Sequence, residues 1–196
     1  MSSDDARYVR DHDYIIAATR QWLEIAVIGL NLCPFAKSVY VRQQIRYVVS
    51  DATSVQELRK DLHHELGFLS NCDADLVDTT LLILPNLPAD FLAYNDFIHA
   101  ADRLVSKLNL AGMLQIASFH PRYQFTECGP DDIENFTNRS PYPMLHLLRE
   151  SSVDRAVAAF PDADAIVDRN IATLRQLGFA GWDALGIPDI DVDKID

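Results

Sequence analysis

Cysteine is scarce in this chain: Cys33, Cys72 and Cys128 are the only three in 196 residues, and no Cys-x-x-Cys pair occurs. That excludes a disulfide framework and fits a reducing compartment. Glycine and proline are also few, at 7 and 9, which excludes a collagen-like or low-complexity chain. Basic residues are outnumbered, 17 Lys+Arg against 29 Asp+Glu, leaving a net charge of −12. Such a field repels polyphosphate backbones and anionic lipid head groups, so neither nucleic acid nor a membrane surface is expected as a partner. The most apolar stretch, Ile25 to Leu32, falls well short of the roughly 20 residues that span a bilayer. Met1-Ser2-Ser3-Asp4-Asp5 is acidic where a secretory leader is basic, so the expected location is cytoplasmic. The P-loop, Gly-x-Gly-x-x-Gly and Gly-x-Ser-x-Gly fingerprints are all missing.

What is present is a hydrophobic fraction of 48%, enough for one sizeable core. The expectation is a single globular domain over 1–196, with 1–12 and 184–196 flexible. Apolar residues from Ile15 to Leu30 recur at three- and four-residue spacing and predict a largely buried helix, ended by Gly29, Asn31 and Pro34. Ile45 to Val49 is short and β-branched, a strand. Ser54 and Glu57 have capping-box spacing and open a helix expected to stop near Gly67. Thr79 to Leu84 is a continuous apolar run, as in a central strand covered on both faces. A second long helix is expected between Pro88 and Gly112, and a third strand from Met113 to Phe119. A long polar segment follows, Arg122 to Pro143, and stretches of that kind within a compact domain are often functional. Met144 to Arg149 reads as a short helix, Ser152 opens another, and Asp162 to Leu177 is an amphipathic helix ending at Gly178. The order predicts an α/β fold with a small β-α-β-α-β sheet, an N-terminal helix and a C-terminal helical segment. An α+β ferredoxin-like two-layer sandwich is the alternative.

Several residue types in this pattern carry chemistry. His120 closes the third strand, where open α/β sheets place their ligand crevices, and Pro121 holds it extended. It is a candidate acid or base, or a histidine that caps a loop. Two prolines stiffen the backbone around Tyr142 and present Arg139 and Tyr142, with Asn138 a further candidate beside them. If Met144 to Glu150 is helical, His146 and Arg149 share a face. Arg122, Arg139 and Arg149 then form a candidate anion clamp, because guanidinium forks match carboxylate and phosphate. The same three arginines have Glu127, Asp131, Asp132, Glu134 and Glu150 nearby as competing ion-pair partners. Tyr123 and Tyr142 are candidates to stack on a ligand or to pack. Cys33 precedes Pro34 at a helix terminus, as a candidate low-pKa thiol or as a buried cysteine facing the His120 loop. Cys33, His120 and His146 are also the available soft metal ligands, although their spacing matches no zinc signature.

Three segments together are specific: Leu30-Asn31-Leu32-Cys33-Pro34-Phe35-Ala36-Lys37, Ser118-Phe119-His120-Pro121-Arg122-Tyr123-Gln124-Phe125, and Thr137-Asn138-Arg139-Ser140-Pro141-Tyr142-Pro143 running into Leu145 to Glu150. On these the chain resembles a bacterial family catalogued as domain of unknown function 1415, over about Trp22 to Trp182. The resemblance implies a soluble single-domain protein and supplies no reaction. The leading expectation is an enzyme for a small anionic metabolite. In it Arg122, Tyr123, Asn138, Arg139, Tyr142 and Arg149 bind substrate, while His120, His146 and Cys33 carry catalysis. A thiol or metal site at Cys33, His120 and His146 is the second reading, and a non-catalytic ligand- or protein-binding module the third. No motif names a cofactor or an oligomeric state.

Overall fold

Three of the described helices begin where the sequence supplies a side-chain acceptor for their unpaired amides. In this computed structural model, which describes residues 11–87, 90–160, 162 and 165–188, Asp11 caps α1 (His12–Trp22), its carboxylate accepting from the Asp13 amide at 3.1 Å. The helix continues to Ile28 in a wider, π-helical register, with the Gly29 amide donating to Glu24 five residues back at 2.9 Å. After α2 (Ala36–Val41) and β1 (Ile45–Val49), Ser54 and Glu57 form the expected capping box at the start of α3 (Val55–Asn71). This helix runs through Gly67, where a stop was expected. Burying Leu69 completely gains about 1.5–3 kcal/mol, against about 1 for a mid-helix glycine. Then come β2 (Thr79–Ile83), α4 (Phe91–Lys107, capped by Asp90), β3 (Leu114–Phe119), a short 3-10 turn at Ile133–Thr137, β4 (Met144–Arg149), α5 (Glu150–Ala158) and α6 (Ile166–Ala184). Gly178, at φ 63° and ψ 176°, breaks α6 where the sequence places its end, and the chain resumes helical turns to Ala184.

The sheet order is β1-β2-β4-β3. β1 and β2 are parallel, while β4 is antiparallel to both β2 and β3. Thus β3 runs in the same direction as β2, as helical crossovers require, but β4 occupies the slot between them. The short helix expected at Met144 to Arg149 is therefore corrected to a central strand. Leucine and methionine favour helix in isolation, but strand pairing on both sides and burial of both faces override that preference. Burial on both faces also removes the alternation that marks a half-exposed strand.

Helices cover both faces, which rules out the ferredoxin-like two-layer alternative. On one face Leu82, Leu114, Leu145 and Leu147 pack with α3 and α4 around Leu58, Leu62, Leu66, Phe97 and Ala101. On the other, Leu81 and Met144 meet Trp22, Leu23, Ala26 and Val27, with Cys33, Tyr40, Phe119 and Trp182 packed alongside. Tyr94 ties the strand ends to α4, its hydroxyl donating to the Met144 carbonyl at 2.7 Å and accepting from the Phe119 amide at 3.2 Å.

The π-helical stretch depends on Gly29. A Cβ there would lie 2.2 Å from the Ile25 carbonyl oxygen, a collision only backbone movement relieves. Gly29→Ala is expected to cost about 1–3 kcal/mol, the usual range for overpacking. Thermal unfolding measures this, and an unchanged melting temperature would rule out the tight geometry.

Candidate functional site

Beside the wide helical register, the sheet face under α1 is incompletely covered. A cavity of about 580 Å³ lies there, between the π-helical segment and α2 on one side and α5 on the other. This is within the size range of small-molecule sites. Its floor is the sheet itself. Leu81, His146 and Ala117 are directly paired neighbours on three adjacent strands, and all three line the cavity with Thr79, Phe119 and Leu148. Trp22, Leu23, Val27, Phe35 and Phe160 supply much of the wall. Phe35 and Phe160 meet edge to face, with centroids 5.9 Å apart, and so link the start of α2 to the end of α5.

His146 is the polar group at the centre of this floor. Phe119 is its ring neighbour at 6.2 Å, and among the described residues its nitrogens have no hydrogen-bond partner. Burial pushes its pKa down to about 4, because the surroundings penalise the imidazolium. At neutral pH the ring is therefore uncharged, with one N–H donor and one bare nitrogen acceptor.

Cys33 lines the same cavity. Burial pushes its thiol pKa up, and hydrogen bonding from the Phe35 and Ala36 amides opposes this only in part. The thiol is thus held protonated, unlike an activated nucleophile. The remaining polar lining includes Gln115, Arg42, and a chain at the end of the two central strands. In that chain the Ser152 hydroxyl donates to Asp78 at 2.5 Å, and Arg155 donates to the Ser152 oxygen at 3.0 Å. Sequence reasoning missed Arg42, Asp78, Ser152 and Arg155. Ser152 was read only as a helix start, and no local spacing signals that these four line one cavity.

The other residues singled out by sequence lie elsewhere. His120 follows β3 onto the opposite side of the sheet, fully buried against Phe91 and Tyr94. Its Nδ1 accepts from the Arg122 amide at 3.0 Å, and its own amide donates to Asn138 at 3.2 Å, so it organises the loop after β3. Tyr123 packs tilted against Phe91 and edge-on to Phe125, and Asn138 donates to the Ser118 carbonyl at 3.2 Å. Arg139 donates to the carbonyls of Tyr123 and Pro130, at 3.3 and 2.5 Å, and lies 4.5 Å over the Phe136 ring. Burial pushes its pKa down. Tyr142 is fully buried beside Ile15 and Ile83, and among the described residues its hydroxyl has no hydrogen-bond partner.

Arg149 is at the far end of β4, donating to the carbonyls of Cys72 and Val77 at 2.6 and 3.1 Å. As β4 is extended, His146 and Arg149 point to opposite faces, which corrects the shared face expected of a helix. Arg139 and Arg149 are set apart by the whole strand, about 17 Å at strand rise. The two therefore hold backbone carbonyls rather than forming either an anion clamp or the competing ion pairs. Among the described residues, no three His, Cys, Asp or Glu side chains gather as a metal site. Likewise none of the described helices is long and apolar enough to cross a membrane.

The class these features define is a single-domain mixed α/β protein, with a ligand-sized apolar cavity between one sheet face and its helices. Within that class the chain belongs to the family described as protein of unknown function (DUF1415), which matches residues 14–184 and so takes in all three motif segments. No curated protein and no solved structure matches it.

Proposed function

We propose that this protein binds a small molecule with an apolar body and at least one hydrogen-bonding group, held over the sheet with His146 as its polar contact. The observation that carries this reading is the unpartnered, uncharged imidazole on the floor of a cavity of about 580 Å³. The ring is half-buried on the cavity floor, and a ligand that hydrogen-bonds to it there gains about 0.5–1.5 kcal/mol. The other residues of the site supply shape: Trp22, Phe35 and Phe160 enclose the ligand body, and Cys33 adds a soft, uncharged wall.

Acid/base catalysis at neutral pH is the weaker reading. With a pKa near 4, roughly one imidazole in a thousand is protonated at pH 7, and the neutral ring is a poor base. A thiol-based reaction is likewise disfavoured by the raised pKa of Cys33. The expectation of a non-catalytic ligand-binding module is therefore closer to the geometry than the acid/base enzyme.

Calorimetric titration with naphthol, an apolar body bearing one hydroxyl, tests the proposal. Saturable binding is expected for the wild type and its loss for Ala117→Phe, which fills the floor beside His146. Equal binding to both proteins, or to neither, would rule out this cavity as the site.

A further inference from the structure

Resting on the cavity reading above, we infer that the ligand is a monoanion, an apolar carboxylic acid. Its carboxylate lies at the cavity mouth between Arg42 and Arg155, and its apolar body extends over the sheet and carries a second polar group, a hydroxyl, to His146. The charged residues lining the cavity are Arg42, Arg155 and Asp78, which sum to 2 − 1 = +1 in a chain whose net charge is −12. Both arginines are exposed while lining the cavity, so they stand at its mouth. Among the described residues neither makes an ion pair with a carboxylate. Arg42 donates only to the carbonyl and hydroxyl of Ser38, at 3.2 and 3.1 Å, and Arg155 only to the Ser152 hydroxyl. A guanidinium carries five N–H donors, so most of each fork remains to be used.

Arg42 caps the C-terminus of α2 and Arg155 lies in the last turn of α5, and Phe35 and Phe160 join these two helices. Behind that contact the Arg169 guanidinium lies 4.9 Å over the Phe160 ring and adds positive potential. Carboxylate is favoured over phosphate by the same count. A dianion would exceed the local charge of +1 and would face Asp78, whereas one negative charge is offset. The competing explanation is structural: Arg42 and Arg155 lie at helix ends, where cations complement the helix dipole.

The test compares 10-hydroxydecanoate and 4-(4-hydroxyphenyl)butyrate with their neutral amides by calorimetry, on wild type and on the Arg42→Gln/Arg155→Gln double variant. Thermal melting checks that the variant is folded. The expected result is acids binding the wild type at least about tenfold tighter than amides, a preference weakened by salt and lost in the double variant. Equal affinities for acid and amide in the wild type would overturn the inference and leave the cavity reading intact. So would a preference that survives in the double variant. If the acids do not bind but naphthol does, the inference falls alone. If naphthol also fails, both fall.

Discussion

Replacing Arg46 with alanine is expected to destabilise the fold by about 3 kcal/mol, because it strands a carboxylate inside the protein. Glu65 lies on the face of α3 turned to the sheet, and its side chain is 3% exposed. Arg46, on edge strand β1, meets it with both arms of the guanidinium, Nε to Oε2 at 2.8 Å and Nη2 to Oε1 at 3.1 Å. The same guanidinium covers the Phe68 ring at 4.4 Å. Breaking a buried pair from one side costs about 3–5 kcal/mol. The lower end applies here, because Arg46 is 35% exposed and its removal lets water reach Glu65. His64 is a poor substitute, since it is exposed and its Nε2 stands 4.0 Å from Glu65.

The control is the double variant Arg46→Met/Glu65→Leu. Replacing both charges by apolar groups of similar volume removes the desolvation penalty with the attraction, and such swaps are often neutral. It is expected within about 1 kcal/mol of wild type. Urea unfolding of the three proteins measures both figures. A single variant costing under about 1 kcal/mol would show that Arg46 behaves as an ordinary surface cation. A double variant as unstable as the single would show that packing on Phe68, not charge, dominates.

Much of this architecture was legible because the relevant signals are local. Ser54 with Glu57, Asp90, Gly178 and the β-branched run at Ile45 each act within a turn or two of where they sit in sequence. β4 was not legible for the opposite reason. Met-Leu-His-Leu-Leu-Arg is a strand only because β2 and β3 leave a slot between them, and that slot comes from segments over 20 residues away. The misreading spread to the site, since helical spacing put His146 and Arg149 together and strand spacing separates them.

For the candidate site, residue type served better than grouping. Cys33 and His146 were singled out on chemical grounds and the fold places both on one cavity, but their association with Arg42 and Arg155 is tertiary. Arg122, Arg139 and Arg149 read from sequence as a grouped anion clamp with acidic neighbours as competing partners. Arg139 and Arg149 hold carbonyls of irregular chain instead, a role that sequence does not distinguish from ligand binding because both use the same donors. His120 shows the same ambiguity settled the same way. Its position at a strand end suits a catalytic residue, and the structure makes it a pivot for the loop that follows.

His146→Leu is expected to raise stability while abolishing binding, and its effect on stability should depend on pH. In the folded protein the imidazole pKa is pushed down to about 4, while the unfolded chain has the ordinary 6.5. Between those values the unfolded state binds more protons, so stability from this group falls as the pH drops through 6.5 toward 4. The loss runs at about 1.4 kcal/mol per unit and totals at most about 3 kcal/mol, since the ring keeps some exposure to the cavity. Above pH 6.5 the group is neutral in both states and contributes no slope. Glu57 and Glu134, whose pKa values are lowered by hydrogen bonds, add acid sensitivity of their own below the ordinary carboxylate range. They do so equally in both proteins and cancel in the difference. Leucine places apolar carbon on an apolar floor, a gain of about 1 kcal/mol at pH 7.5, and that gain should widen by about 2–3 kcal/mol at pH 4.5. Naphthol affinity, by contrast, should fall about tenfold or more with the loss of the imidazole at the centre of the floor. Urea unfolding of both proteins from pH 4.5 to 7.5, paired with the naphthol titration, separates the outcomes. Parallel stability curves would mean that the imidazole is hydrated and titrates normally, and unchanged affinity would remove His146 from the site.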